Sequence, residues 1–299
     1  MIEIQNVSKK FDNLLALDNV TATITEGHVF GLIGTNGAGK STLIRTICGV
    51  YKPDHGRVLV DGEDVFENPA ANAKIFYISD DQFYLPNDTP VTMMRFYQDY
   101  YPEFDETRFL KLLENFGLSP KRKIHTFSKG MKKQLSVLMG VCANTKYLFC
   151  DETFDGLDPV MRQTVKSLFA GELSNRDFTP VVASHNLREL EDICDHLGVL
   201  YQGGILFEGD TNALKTNVFK VQLSLGKEFT QEDLEPLNVL SFKKRGSVAT
   251  VIIKGDRDEA ERIIAEKSPV IADFLPLTLE EVFIYEMEVL GYVFEDLAI

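Results

Sequence analysis

No stretch of this 299-residue sequence holds the roughly 18–20 consecutive apolar residues of a membrane-spanning helix. The opening residues, Met1-Ile2-Glu3-Ile4-Gln5, carry neither the basic segment nor the apolar segment of a secretory signal. The expectation is a soluble, cytoplasmic chain. Cysteine is scarce: Cys48, Cys142, Cys150 and Cys194 lie far apart with no C-x-x-C pair, which argues against a disulfide framework and a zinc site. Buried small side chains in a reducing compartment are the reading they support. Positive charge is short too. Lys and Arg number 31 against 45 Asp and Glu, for a net charge of −14. Such a surface repels nucleic acid and anionic lipid, so no nucleic-acid partner is expected. The one basic run, Lys121-Arg122-Lys123, is short and reads as a solvated loop. With 44% hydrophobic residues, the chain can bury a sizeable core in one large or two modest domains.

What the sequence does hold is the run Gly34-Thr35-Asn36-Gly37-Ala38-Gly39-Lys40-Ser41-Thr42, which fits G-x-x-x-x-G-K-[ST]. Its flanks are right for a phosphate loop. His28-Val29-Phe30-Gly31-Leu32-Ile33 predicts a buried strand, and residues 41–50 predict a helix. Glycines let successive N–H groups turn inward toward phosphate oxygens. The helix that follows aims its unpaired N–H groups and positive dipole end at the same anion. Lys40 is then placed to reach the β- and γ-phosphates and the Ser41 hydroxyl to ligate Mg²⁺. A nucleoside triphosphate site is the prediction.

A second strand, Tyr147-Leu148-Phe149-Cys150, ends in Asp151-Glu152. Four apolar residues followed by an acid place Asp151 at a strand edge, where it would hold Mg²⁺ through water. Glu152 beside it is the candidate to polarise the attacking water.

Around these runs the periodicity alternates between two and 3.6. Half-buried antiparallel strands are expected in residues 2–7 and 16–24, and strands again near 56–62, 74–79, 179–184, 197–200 and 204–208. Helices are expected over 89–101, 106–116, 129–144, 159–173 and 187–195. Strands alternating with crossover helices imply a largely parallel sheet, with an antiparallel β layer before it and a helical insertion at about residues 85–145. The fold class is α/β, a P-loop NTPase. After Asp210 the composition changes, acidic residues outnumber basic ones, and nucleotide motifs cease. Strands over 218–225, 237–243, 247–254 and 270–275 with helices over 257–267 and 278–290 predict a small α+β domain of ferredoxin-like kind. The expected division is 1–213 and 214–299.

Further motifs fall in a fixed order. Ser128-Lys129-Gly130-Met131 opens a helix, Asp151-Glu152 follows some twenty residues on, then Gly156-Leu157-Asp158, then Val181-Val182-Ala183-Ser184 ending in His185. This ordered set resembles the ATP-binding cassette (ABC) ATPases, over residues 1 to about 210. The resemblance implies that Ser128 and Gly130, in a variant of the usual S-G-G-Q signature, act across a dimer interface on the partner's ATP. It implies that Gly156-Leu157-Asp158 couples the two sites and that His185 contacts the γ-phosphate. Phe11, in Lys9-Lys10-Phe11-Asp12, lies where the family keeps an aromatic against adenine. The family also keeps a Gln near Mg²⁺ after the strand 74–79. Here gapless alignment gives Asp80, while Gln82 has the usual chemistry, and Gln82 is slightly favoured. Thr153 stands where a Pro commonly follows the glutamate.

The chain is further similar to bacterial drug, lipid or peptide exporter ATPases, including those of cell-envelope stress operons. The expected function is that of an ATP-hydrolysing subunit driving separate transmembrane subunits, paired with a second ATP-binding subunit as homo- or heterodimer. It would lie against the inner face of the membrane through its partner. The other reading is a soluble cassette ATPase that remodels a ribosome or nucleic-acid complex.

Overall fold

Period-two alternation near the N-terminus becomes the hairpin of β1 (Ile2–Phe11) and β2 (Leu14–Ile24). With β4 (His55–Val60) and β5 (Glu63–Asp64) it forms an antiparallel sheet of order β2-β1-β4-β5. The computed structural model describes residues 1–191, 193–211 and 218–289. Within them the chain divides into two compact units, Met1–Glu208 and Gly209–Ile299. The position between 213 and 214, and residue 290, lie outside the described residues.

The first unit is built on a second sheet of order β10-β9-β3-β8-β7-β6. Its strands are β3 (Phe30–Ile33), β6 (Ile75–Ile78), β7 (Tyr147–Asp151), β8 (Thr179–Ser184), β9 (His196–Tyr201) and β10 (Gly204–Asp210). The pairs β6–β7, β7–β8, β8–β3 and β3–β9 are all parallel. Every residue of β3, β7 and β8 is buried, as in a parallel sheet covered on both faces. The main core lies between this sheet and the antiparallel one, around α1 (Lys40–Ile47), and includes Ile2, Leu17, Phe30, Leu43, Ile44, Val58, Phe149 and Val181.

After the short α2 (Pro69–Asn72), three helices are inserted between β6 and β7: α3 (Pro90–Gln98), α4 (Glu106–Asn115) and α5 (Lys129–Cys142). Each starts at a side-chain cap, Thr89, Asp105 and Ser128 respectively, which satisfies backbone N–H groups that the first turn leaves unpaired. Asp158 caps α6 (Pro159–Asn175) in the same way. The last helix of this unit, α7 (Leu187–Glu191), stops short of the 187–195 span expected from sequence. There the N–H groups of Ile193 and Cys194 both turn onto the Leu190 carbonyl and close the helix.

The second unit is a four-stranded sheet of order β12-β13-β11-β14, antiparallel throughout. Its strands are β11 (Val218–Ser224), β12 (Val239–Arg245), β13 (Val248–Lys254) and β14 (Ile271–Leu275). Alternate residues serve two faces. Phe219, Val221 and Val251 pack with Ala260 and Ile264 of the helix Arg257–Glu266. Val218 and Ile252 pack with Val282 of the helix Leu279–Val289. The unit is α+β with the split strand order of a ferredoxin-like sheet, except that the first crossover carries only a 3-10 turn, Glu232–Leu234. Gly226 at φ 70° and Pro236 bracket that crossover and keep a longer helix from forming.

Candidate nucleotide site

The phosphate loop joins β3 to α1, as its motif requires. Gly39, at φ 106°, forms the turn into the helix, and a Cβ there would sit 2.6 Å from the Ala16 carbonyl oxygen. No other residue fits that conformation and that approach. Lys40 is buried and donates to the carbonyl of Gly34 at 2.7 Å and of Thr35 at 3.3 Å. Its ammonium also lies 3.2 Å from Glu152 Oε1. The other carboxylate oxygen of Glu152 is 2.8 Å from His185 Nδ1. Strand ends β7 and β8 therefore deliver Glu152 and His185 to the loop from two neighbouring parallel strands. Glu152 itself adopts φ 48°, a left-handed backbone that costs a non-glycine residue about 1–3 kcal/mol and persists where neighbours enforce it.

Asp151 is fully buried at the end of β7. Burial pushes its carboxyl above the usual aspartate value, and the charge of Glu152 adds to the rise. The hydroxyls of Ser41 and Tyr77 and the Arg45 guanidinium pull the other way. Tyr77 donates to Asp151 Oδ2 at 3.2 Å. Oδ1 is buried and makes no hydrogen bond among the described residues. A buried acceptor with a free oxygen, beside a serine hydroxyl, fits a hard cation with oxygen ligands, so Asp151 and Ser41 suit Mg²⁺.

Lys40, Ser41 and Glu152 open onto a cleft of about 590 Å³ lined also by Phe11, Asn36, Gly37, Gly39, Thr42 and Asp80, among others. Phe11 is part exposed at the rim, edge-on to Tyr51 at 5.2 Å between ring centroids. Its ring is therefore held while a face remains for a planar base. Ser128 and Gly130 lie outside this cleft. Ser128 caps α5 by accepting from the Met131 N–H at 3.2 Å. Gln82, favoured from sequence for the metal, also lies elsewhere. It lines a small cavity with Phe76, Tyr84 and Ser136, where its Nε2 is buried without a partner. The chain bends after β6 so that Asp80 faces the cleft, and two residues further on it has already turned away.

A match to the ABC transporter family covers residues 17–155. YtrB of Bacillus subtilis, an ABC transporter ATP-binding protein, is 31% identical over 284 residues, 95% of this chain and 97% of that one. The chain belongs to the ABC transporter ATP-binding family. It is thus an ABC ATPase, which binds and hydrolyses ATP. The lipopolysaccharide export protein LptB of Haemophilus influenzae is 25% identical over 242 residues, 77% of this chain and 98% of LptB. The methionine import protein MetN of Haemophilus ducreyi is 29% identical over 231 residues, 73% of this chain but 67% of MetN. The solved ATP-binding subunit of an ABC transporter shares the fold at a TM-score of 0.66 and 24% identity, covering 72% of this ABC ATPase and 92% of that chain.

Two residues at the site escaped sequence reading. Tyr77 sits inside an apolar strand and reads there as core. Lys133 sits among Lys132 and Gln134 and reads as a solvated face, yet it lies on the buried stripe of α5 with Ser136, Val137 and Gly140. A lysine at that helical spacing was the available signal. For Tyr77 the role is testable. Tyr77→Phe removes one group that favours ionised Asp151, and such supporting contacts are worth about 10–100-fold in metal affinity. The expected result is that half-maximal ATPase needs at least about tenfold more Mg²⁺, with kcat at saturating Mg²⁺ within about twofold. An unchanged Mg²⁺ titration would remove Tyr77 from the site.

Proposed function

We propose that the chain is the ATP-driving subunit of an ABC exporter, one of two cassettes working beside separate membrane-spanning chains. The observation that carries this reading is the assembled hydrolytic cleft. Lys40, Ser41 and Glu152 line it, with Asp151 bonded to Ser41 and His185 to Glu152, while Ser128 and Gly130 of the same chain neither line it nor pair with a residue that does. A second cassette, identical or different, placed head to tail would supply those two groups. Among the described residues no helix is long and apolar enough to cross a membrane, so the transport path falls to a partner. The export direction rests on the resemblance to exporter ATPases, and the export protein LptB is matched over 98% of its length.

In this reading the loop N–H groups from Gly34 to Thr42 bind phosphate oxygens and Phe11 stacks on adenine. Lys40 reaches the β- and γ-phosphates. Ser41 and Asp151 hold Mg²⁺, and Asp80 takes the place for which Gln82 was favoured. When bound, Mg²⁺ withdraws charge from the phosphate oxygens. Glu152 takes the proton of the attacking water, and His185 contacts the γ-phosphate while its Nδ1 stays paired with Glu152. The second cassette's contacts to the γ-phosphate exist only with the dimer closed, which gives ATP its preference for that state. Hydrolysis removes them, the dimer opens, and the attached membrane helices move at the inner face of the membrane.

The test is purification of the Glu152→Gln protein from membranes of its own host in ATP and Mg²⁺. A multi-span membrane protein in stoichiometric amount is the expected companion. Recovery with ribosomal or nucleic-acid components would replace transport by remodelling. The complex is then placed in liposomes, with wild-type cassettes facing outward. Stimulation of hydrolysis by lipophilic drugs or peptides added on the ATP side supports export. Stimulation only by a solute inside the liposomes overturns it.

A further inference from the structure

Lys133 is buried to 1% exposure in α5, four residues on from Lys129 and on the same side of the helix. Its ammonium donates to the main-chain carbonyl of Glu152. It also lies 3.5 Å from Asp80 Oδ1 and 3.9 Å from Asp155 Oδ2. An ammonium taken so far out of water is costly without partners of this kind, and two of them, Asp80 and Glu152, line the nucleotide cleft. Glu152 is the residue held at φ 48°. Its N–H donates to the Ala183 carbonyl of β8 at 3.0 Å, and its carbonyl accepts from Lys133. Both polar groups of a strained peptide unit are therefore pinned, one to the sheet and one to α5. The carboxylate between Lys40 and His185 points where that backbone sends it.

We propose that Lys133 is a positioning residue for ATP hydrolysis: from the helix that Ser128 caps, it fixes the Glu152 backbone and ties it to Asp80 and Asp155. Lys129 reaches the same Asp155 at 3.4 Å, so the start of α5 and the loop after Glu152 share one charge cluster. A shift of α5 then alters the aim of Glu152. The cluster joins the part of the chain expected to face a partner's ATP to the group expected to act on its own. This inference rests on the reading of Glu152 as the group that activates water.

The experiment compares Lys133→Met, which removes both donor and charge, with Lys133→Gln, which keeps a donor for the carbonyl. Wild type and Glu152→Gln are run alongside, all as full-length chains. ATPase kinetics and amide hydrogen exchange across residues 152–157 are measured. Misaiming a catalytic group costs up to about 100-fold. Lys133→Met is expected to lower kcat about 10–100-fold with KM for ATP within about twofold, and to speed exchange across 152–157 while the rest of α5 stays protected. Lys133→Gln is expected to recover much of both. Normal kcat and unchanged exchange in Lys133→Met overturn the proposal. So does a loss in which ATP binding fails and exchange rises throughout the chain, since Lys133 then serves folding alone. If Glu152→Gln keeps its rate, the reading of Glu152 has failed instead, and exchange across 152–157 still decides whether Lys133 holds that backbone.

Discussion

Glu152→Gln is expected to cut ATP turnover by about 10²–10⁴-fold, the range a positioned general base contributes, while ATP still binds. The structural reason is that the substitution keeps the size of a side chain set between Lys40 at 3.2 Å and His185 at 2.8 Å but removes its basicity. Glutamine also tolerates the φ of 48° about as well as glutamate, so the backbone need not move. With binding intact and hydrolysis blocked, an ATP-bound dimer should accumulate on size exclusion in the presence of Mg²⁺. Glu152→Ala should lose turnover to a similar extent, and also leave Lys40 without its carboxylate partner. Turnover within threefold of wild type in Glu152→Gln would show that another group activates the water.

Asp151→Asn is expected to abolish Mg²⁺-dependent turnover and yet stabilise the nucleotide-free protein at neutral pH. Burial raises the folded-state pKa of Asp151 above the ordinary 3.8. A raised pKa means that the folded chain still holds a proton where the unfolded chain has released it. The stability associated with this group is fully present below the ordinary value and is lost as pH rises through the raised one. Above the raised value the wild-type protein carries a buried carboxylate whose Oδ1 makes no hydrogen bond among the described residues, a penalty of about 1–3 kcal/mol for a group of this kind. Asparagine removes the charge at nearly constant shape. Urea unfolding of the two proteins at pH 7.5 should put the variant above wild type by an amount in that range. The difference should shrink as pH falls through the raised value and go on shrinking toward about 3, below the ordinary aspartate value, where the wild-type carboxyl is protonated in both states. A variant less stable than wild type at pH 7.5 would mean that the hydrogen bonds from Ser41 and Tyr77 outweigh the burial penalty. Excess Mg²⁺ should narrow the gap from the other side, because it stabilises only the protein that can bind it.

Much of the site was legible in the amino-acid order because its parts are local. The phosphate loop needs a strand, a glycine turn and a helix start in succession, and residues 28–50 spell all three. Asp151-Glu152 ends an apolar strand and was readable from its own ten residues, whereas His185, which follows another strand, took its meaning from the order of the motifs along the chain. Strand and helix positions followed from period two and period 3.6, while the caps at Thr89, Asp105 and Asp158 came from the structure. Only the tertiary structure decided which residue after β6 faces the cleft. Asp80 and Gln82 are both capable of the chemistry, and the bend of the chain, set by packing of Tyr84 against Ser136 of α5, chose Asp80. Tyr77 and Lys133 belong to the same class. Their meaning lies in partners 74 and 19 residues away, Asp151 and the Glu152 carbonyl, and in burial that changes a common side chain into a paired charge or donor. The sequence by itself determined the phosphate loop, the acids and the succession of strands and helices along the chain, because those depend on neighbours in the chain. The folded structure alone decided what holds them in place, because that depends on neighbours in space.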